Sequence, residues 1–344
     1  MSIAVVHSPA EWTARFSPSG RLTAATIGSF DGLHLGHQKI IRAVVEQARA
    51  ENYVALAVTF QPHPLKVLRP AEAPPMISTL EQRLAWMDAL GLDCVLVLRF
   101  DLALSQLSPE EFVRSVLMER LGVAHLLVGE NFRFGHKQMG NVKLLRRLGH
   151  ECGFAVGVIP PVKLRGRIVS STAIRQAVAT GEMKLAGQML GRPFELTGPV
   201  QPGTGRGRAI LFPTLNLAPE QELLPARAVY ATQTAVGGEL YRSATNVGVR
   251  PTFNGTELTV ETHVLGFSGQ LAEPRIAVRF RKRLREERKF SGPAALRKQI
   301  ASDLEQVKKF FARLEPGTRG LTGRKNASRQ HKPASRSART LRKR

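Results

Sequence analysis

Two histidines separated by a leucine and a glycine, His34-Leu35-Gly36-His37, close the run Thr26-Ile27-Gly28-Ser29-Phe30-Asp31-Gly32-Leu33. Imidazoles three residues apart can face one phosphate, and the glycine between them lets the backbone come close. The apolar stretch Ala24 to Ile27 precedes the run. Ile40, Ile41, Val44, Val45 and Ala48 follow at helical spacing through Gln38 to Ala50. A strand therefore enters a glycine turn and a helix leaves it, and free N–H groups at a helix start can hold phosphate oxygens. Gly28, Phe30, Asp31, Gly32, His34 and His37 become candidate site residues for nucleotidyl transfer. The plainer role for a histidine at such a place is to cap the helix.

Three further segments suit the same site. Prolines on both sides fix the backbone at His63 in Gln61-Pro62-His63-Pro64, either as a ligand contact or as a rigid turn. Gly129-Glu130-Asn131-Phe132-Arg133-Phe134 carries an amide, a cation and two aromatics. Aromatics stack on flat rings and Arg pairs with phosphate, so Asn131 and Arg133 are candidates. Ser170-Ser171-Thr172 before a helix, with Arg175 one turn on, offers a second phosphate cradle; the same hydroxyls could merely cap the helix.

A second chemistry lies further along. Gly203, Gly205, Arg206, Gly207 and Arg208 form a glycine-rich basic loop able to wrap phosphates with backbone N–H groups. It leads into Phe212-Pro213-Thr214-Leu215-Asn216. Glu261 sits in the alternating run Val260-Glu261-Thr262-His263-Val264-Leu265, where a lone glutamate is more often simply solvated.

The elements that must position these residues fall into two blocks. In the first, candidate strands at Ala24–Ile27, Val54–Phe60, Cys94–Leu98, His125–Val128 and Ala155–Ile159 alternate with helical patterns at Gln38–Ala50, Ser78–Leu90, Pro109–Leu121 and Val142–Cys152. That alternation predicts a doubly wound α/β domain with a parallel sheet, which binds ligands beyond the carboxyl ends of its strands. After Gly187 come short strand candidates at Phe194–Val200, Val229–Val236, Glu239–Val247, Thr256–Leu265 and Arg275–Phe280, separated by turns such as Pro202-Gly203 and Gly237-Gly238. They predict a small antiparallel barrel with a helix from Pro293 to about Leu314.

The 344 residues allow two domains, no apolar run reaches the length of a bilayer span, and the first ten residues do not read as a signal peptide. Cys94 and Cys152 lack metal-ligand spacing and read as buried thiols of a cytoplasmic protein. Of the net charge of +23, ten cations belong to residues 317–344, which hold no acidic residue, so +13 remains in the body. The tail cannot build a core and reads as disordered, with weak anionic contacts as its sharper role.

Together the quoted segments resemble the bifunctional prokaryotic riboflavin kinase/FMN adenylyltransferase family over residues 20 to about 314. The resemblance implies an N-terminal nucleotidylyltransferase-like (Rossmann-like) domain at 1–187, a C-terminal riboflavin kinase-like barrel at 188–316 and a basic tail at 317–344. It implies ATP, riboflavin and FMN as substrates and Mg²⁺ carried with ATP, with no obligatory nucleic acid and no membrane insertion. By the same resemblance Thr214 and Asn216 hold the magnesium and Glu261 is the base. Gly203, Gly205, Arg206, Gly207, Arg208, Phe212, Pro213 and Arg285 bind the kinase substrates. The chain departs from the family where Leu211 replaces a glycine, Leu215 a small residue, and Leu271-Ala272-Glu273-Pro274 a Leu-Tyr-Gly; these changes bear on the kinase half. A barrel reduced to flavin binding, and a nucleic-acid-binding protein driven by its tail, are the competing readings.

Overall fold

The computed structural model describes residues 2–16, 19–201, 214–252, 255–267, 274–288 and 290–314. Six parallel strands build the first sheet: β1 (Ala4–Val6), β2 (Thr23–Ile27), β3 (Val54–Gln61), β4 (Cys94–Arg99), β5 (Val123–Gly129) and β6 (Ala155–Ile159). Their order is β1-β4-β3-β2-β5-β6. Near-continuous apolar runs are what a sheet covered on both faces requires. The two-residue period sorts them cleanly. Ala25, Ile27, Leu56, Val58, Leu96 and Leu98 pack into one hydrophobic cluster, and Ala24, Ala55, Ala57, Val95 and Val97 into another with Ile41, Val44 and Ala48 of the helix Leu35–Ala50. The order turns back between β2 and β5, so the loops after Ile27 and Gly129 open at the switch point where such sheets bind ligands.

The five expected strands of this domain are present, with ends moved by at most two residues, and β1 is added at the edge. Three residues were too few to show a period. The expected helix Pro109–Leu121 starts with Ser108 and Glu111 capping each other, then widens into π-helical turns over Phe112–Met118.

The second body is a closed antiparallel barrel of β7 (Phe194–Gln201), β8 (Leu215–Leu217), β9 (Ala228–Val236), β10 (Glu239–Thr252), β11 (Gly255–Val264) and β12 (Arg275–Glu286), in the order β7-β8-β11-β10-β9-β12. β8, again three residues long, is the strand that periodicity missed. The helix Pro293–Leu314 packs on the barrel through Leu304, Val307 and Phe311. Inside the barrel, Thr232, Thr234, Ser243, Thr245 and Thr262 are fully buried and bond to one another, Thr245 Oγ1 donating to Thr262 Oγ1 at 2.8 Å. These bonds satisfy hydroxyls that would otherwise be costly to bury.

Two helices, Ser171–Ala179 and Met183–Leu190, join the bodies. Ile174, Ala177, Val178, Met183, Ala186, Met189 and Leu190 share one hydrophobic cluster with Phe194, Leu196, Tyr230 and Phe280 of the barrel. A division at 187 thus passes through a helix whose apolar face is shared. Cys94 is buried, and burial pushes its thiol up to about 12; Cys152 is half-buried, and neither is in a disulfide. Among the described residues no helix is long and apolar enough to cross a membrane.

Candidate active sites

The turn after β2 is built from unusual backbone. Phe30, Gly32 and Leu33 have φ of 47°, 76° and 40°, in the left-handed region that costs a non-glycine residue about 1–2 kcal/mol. Phe30 and Leu33 are buried, and that burial helps hold the conformation. The turn delivers His34 to the N-cap of Leu35–Ala50, where its Nδ1 accepts from the N–H groups of Gly36 (3.1 Å) and His37 (3.3 Å). Two N–H groups expected to meet phosphate are therefore already taken by His34. In exchange, the bonds fix the tautomer: Nδ1 accepts, so the neutral ring carries its proton on Nε2. Gly36 has a steric reason as well. A methyl group there would lie 3.0 Å from His34 Cε1 and 3.1 Å from Nδ1.

His37 stacks on His34 with ring centres 3.6 Å apart and 18° between planes, and meets the Phe30 ring edge-on at 5.3 Å. Burial, opposed by the backbone contact and reinforced by Arg192, pushes His34 down to about 4. Burial and the neighbouring His34 hold His37 well below the ordinary range, and its Nδ1 is enclosed with no partner among the described residues. At neutral pH both rings are uncharged hydrogen-bonding groups rather than cations.

Asp31, 2% exposed, turns away from solvent. Its carboxylate accepts from Ile77 N–H (3.0 Å), Ser78 N–H (3.2 Å), Ser78 Oγ (3.3 Å) and Arg175 Nη2 (2.5 Å). Arg175 also donates to the Pro75 carbonyl (2.8 Å), so its guanidinium is largely committed to this scaffold. Ser170 caps its helix by accepting from Ala173 N–H, and Ser171 donates to the Asp31 carbonyl (3.0 Å). Gly28 lies against the Phe30 ring, and the Gly32 N–H donates to Ser78 Oγ. The Gly28–His37 turn and the Ser170, Ser171, Thr172, Arg175 segment are thus brought together, tied through Asp31 rather than through a ligand.

His63 caps the short helix Pro64–Leu68, and burial lowers its pKa. With Gln61, Lys66, Ser78 and Arg83 it lines a cleft of about 490 Å³, closed from the barrel side by Glu220, Glu222 and Arg275. Asn131 and Arg133 are exposed beyond β5, Asn131 in a turn and Arg133 in a two-residue strand paired with Gly140–Asn141. Phe134, expected to present a stacking surface, is instead buried in the core beneath Phe132, with ring centres 5.5 Å apart.

On the barrel, Asn216 of β8 and Asn246 of β10 both stand in register with Glu261 of β11. Register partners share a face, about 4.5–5.5 Å apart at Cβ. Val260 and Thr262 on either side of Glu261 are buried, so the Asn216–Glu261–Asn246 row occupies the outer face. Thr214 precedes β8 and is half-buried. Gly203, Gly205, Arg206, Gly207, Arg208, Leu211, Phe212 and Pro213 lie outside the described residues. Arg285 grips Asp303 of the last helix by Nε (3.0 Å) and Nη2 (2.8 Å), which ties helix to barrel.

The sequence carried no signal for two contributors. Trp86 and Arg192 meet face to face behind the histidine turn, with the guanidinium 3.3 Å from the ring centre. Trp86 lies inside the expected helix Ser78–Leu90, and Arg192 between the two blocks, and neither belongs to a motif.

Residues 17–173 match the family model for FAD synthetase, and residues 190–311 that for riboflavin kinase. The chain belongs to the bifunctional riboflavin kinase/FMN adenylyltransferase family. Bifunctional riboflavin kinase/FMN adenylyltransferases of Escherichia coli K12 and Pseudomonas fluorescens are 35% identical over 292 residues and 36% over 296. The alignments cover 85% and 86% of this chain and 93% and 95% of those proteins. A solved structure described as a macrolide-efflux protein from Streptococcus pneumoniae superposes with a TM-score of 0.79 at 25% identity, covering 90% of this chain and 99% of that one.

Proposed function

We propose that the His34–His37 turn is the adenylyl-transfer site and the Asn216–Glu261 row the phosphoryl-transfer site. The enzyme converts riboflavin and ATP to FMN and ADP, and FMN and ATP to FAD and pyrophosphate. The observation that carries the site assignment is the presence of two distinct constellations, one at the switch point of the sheet and one on the barrel face.

At the first, an oxygen of the FMN phosphate attacks the α-phosphorus of ATP and the bond to pyrophosphate breaks. No proton need move, so catalysis is alignment and charge stabilisation. His34 donates from Nε2 to the phosphates, with His37 beside it. Asn131 and Arg133 reach for the nucleotide from the facing loop, with Gly28, Phe30, Gly32, His63 and the Ser170–Arg175 segment shaping the pocket around Asp31. At the second site, Glu261 takes the proton of the riboflavin 5′-hydroxyl as that oxygen attacks the γ-phosphorus and ADP leaves.

Thr214 and Asn216 offer a hydroxyl and an amide oxygen next to the Glu261 carboxylate, an all-oxygen set that suits Mg²⁺. Among the described residues no cluster of three His, Cys, Asp or Glu could cage a metal alone, which fits an ion that arrives with phosphate and water ligands. When bound, Mg²⁺ neutralises charge on the phosphates. Residues 1–187 serve adenylyl transfer and 188–316 phosphoryl transfer, in a cytoplasmic protein that needs neither nucleic acid nor a membrane.

Incubation with riboflavin, ATP and Mg²⁺, followed by chromatography of the flavins, tests this reading. Glu261→Gln should lower FMN formation by about 10²–10⁴ and spare adenylylation of added FMN. His37→Ala should lower FAD formation by about 10²–10³ and spare phosphorylation. Equal loss of both activities in either variant refutes two separate sites.

A further inference from the structure

Arg192 belongs by sequence to the kinase half, two residues before β7 and within the segment matched to riboflavin kinase. Its side chain ends on the transferase turn. Nη1 donates to the carbonyls of Leu33 (3.1 Å) and Leu190 (3.1 Å), and Nη2 to that of Gly32 (2.6 Å). Gln38, within the first turns of the helix, donates to the same Leu33 and Leu190 carbonyls at 2.9 and 2.8 Å. Gly32 and Leu33 are the two residues before His34, and both have positive φ. Backbone so placed cannot join the helix ladder, so its carbonyls need outside donors. Trp86 holds the guanidinium plane from the other side.

We propose that Arg192 is a positioning residue for adenylyl transfer, holding the Gly32–Leu33 carbonyls so that His34 and His37 keep their stacked arrangement at the phosphate site. It is not a catalytic residue. The role needs arginine in particular, because the flat fork donates to three carbonyls in its plane while its face stacks on an indole; a compact ammonium can hold carbonyls or sit over the ring but has no plane with which to do both at this spacing. The barrel arm is then a working part of the transferase. The proposal rests on the assignment of the His34–His37 turn to adenylyl transfer.

The test uses the full chain with Arg192→Lys and Arg192→Ala. In both, kcat for FMN adenylylation should fall about 10-fold or more, with smaller changes in KM, because a small misplacement of aligned groups is felt mainly in the transition state. Riboflavin phosphorylation, measured on the same sample, should stay within about two-fold and reports that the chain has folded. Millimolar guanidinium should partly restore Arg192→Ala. Among the described residues, the charged or titratable groups found against His34 are His37, stacked on it, and Arg192. Loss of the cation in Arg192→Ala should therefore raise the His34 titration followed by NMR, whereas Arg192→Lys, which keeps the charge, should leave it low while kcat still falls, so that the loss follows geometry and not charge. An unchanged adenylylation kcat in Arg192→Lys overturns the proposal, as does parallel loss of both activities with a lowered Tm. His34→Ala, run alongside, separates the two assignments. Loss there with none in Arg192→Lys overturns positioning alone; no loss in either overturns the site assignment and the positioning role with it.

Discussion

Replacing Asp31 by asparagine should unseat the scaffold behind the histidine turn. The carboxylate is 2% exposed and accepts from Ile77, Ser78 and Arg175. Asparagine keeps one acceptor. If its oxygen stays with Ile77 and Ser78, its NH₂ faces Arg175 Nη2, and two donors meet where an ion pair stood. Removing one partner of a buried pair costs about 3–5 kcal/mol. Arg175 keeps the Pro75 carbonyl and its side chain is 15% exposed, which relieves part of this and leaves about 2–4 kcal/mol. At roughly 2–4 °C per kcal/mol for a unit of this size, Tm should fall by about 4–16 °C. Calorimetry at pH 7.5 measures it. Asp31→Asn should cost much less on an Arg175→Met background, because the two act as one contact. A fall of less than about 2 °C in the single variant refutes the reasoning.

His34 makes stability depend on pH in a definite window. Its folded pKa of about 4 lies below the ordinary 6.5, so the unfolded chain takes up the proton first. This contribution is fully present above pH 6.5 and is lost as pH falls toward 4, by up to roughly 3 kcal/mol. Urea midpoints at pH 7 and pH 4.5 should therefore differ less in His34→Gln than in the parent chain; an equal difference refutes it. Arg285→Met should lower the urea midpoint by leaving Asp303, 5% exposed, without its cation, while KM for riboflavin changes little; the reverse pattern would make Arg285 a ligand contact. Deleting residues 317–344, which lie outside the described residues, should leave both reaction rates within a few-fold.

Much of this architecture could be read from the chain because each signal was local. The strands of the parallel sheet are almost wholly apolar, and Val142–Cys152 begins at an Asn cap and ends before a left-handed Gly153. The His-x-Gly-His turn was legible as a strand–turn–helix. Its electrical character was not. Whether an imidazole is a cation depends on burial and on neighbours such as Arg192, 158 positions away in sequence, and no spacing encodes that. Asp31 read as a residue of the nucleotide site and Arg175 as part of a phosphate cradle, but their mutual bond is made only when the 75–78 segment folds between them. The Asn216–Glu261 pairing shows the same limit. Each residue was singled out, but the β8–β11 register that makes them neighbours is a property of the closed barrel.

The two linking helices bear on whether the protein can be divided. Ser170, Ser171 and Arg175 serve the Asp31 scaffold from one side of Ser171–Ala179, while Ile174, Ala177 and Val178 complete the barrel's apolar cluster from the other. Met76 adds two more bonds across the boundary, donating its N–H to Glu222 and accepting from Leu223 N–H. No cut through a loop yields two finished proteins. A transferase ending at residue 173 forfeits the Arg175 contact, and one ending at 190 carries an uncovered oily face and lacks Arg192. The fusion is therefore not two enzymes on a tether, each free to be lost or exchanged, but a single heritable unit whose halves must change together.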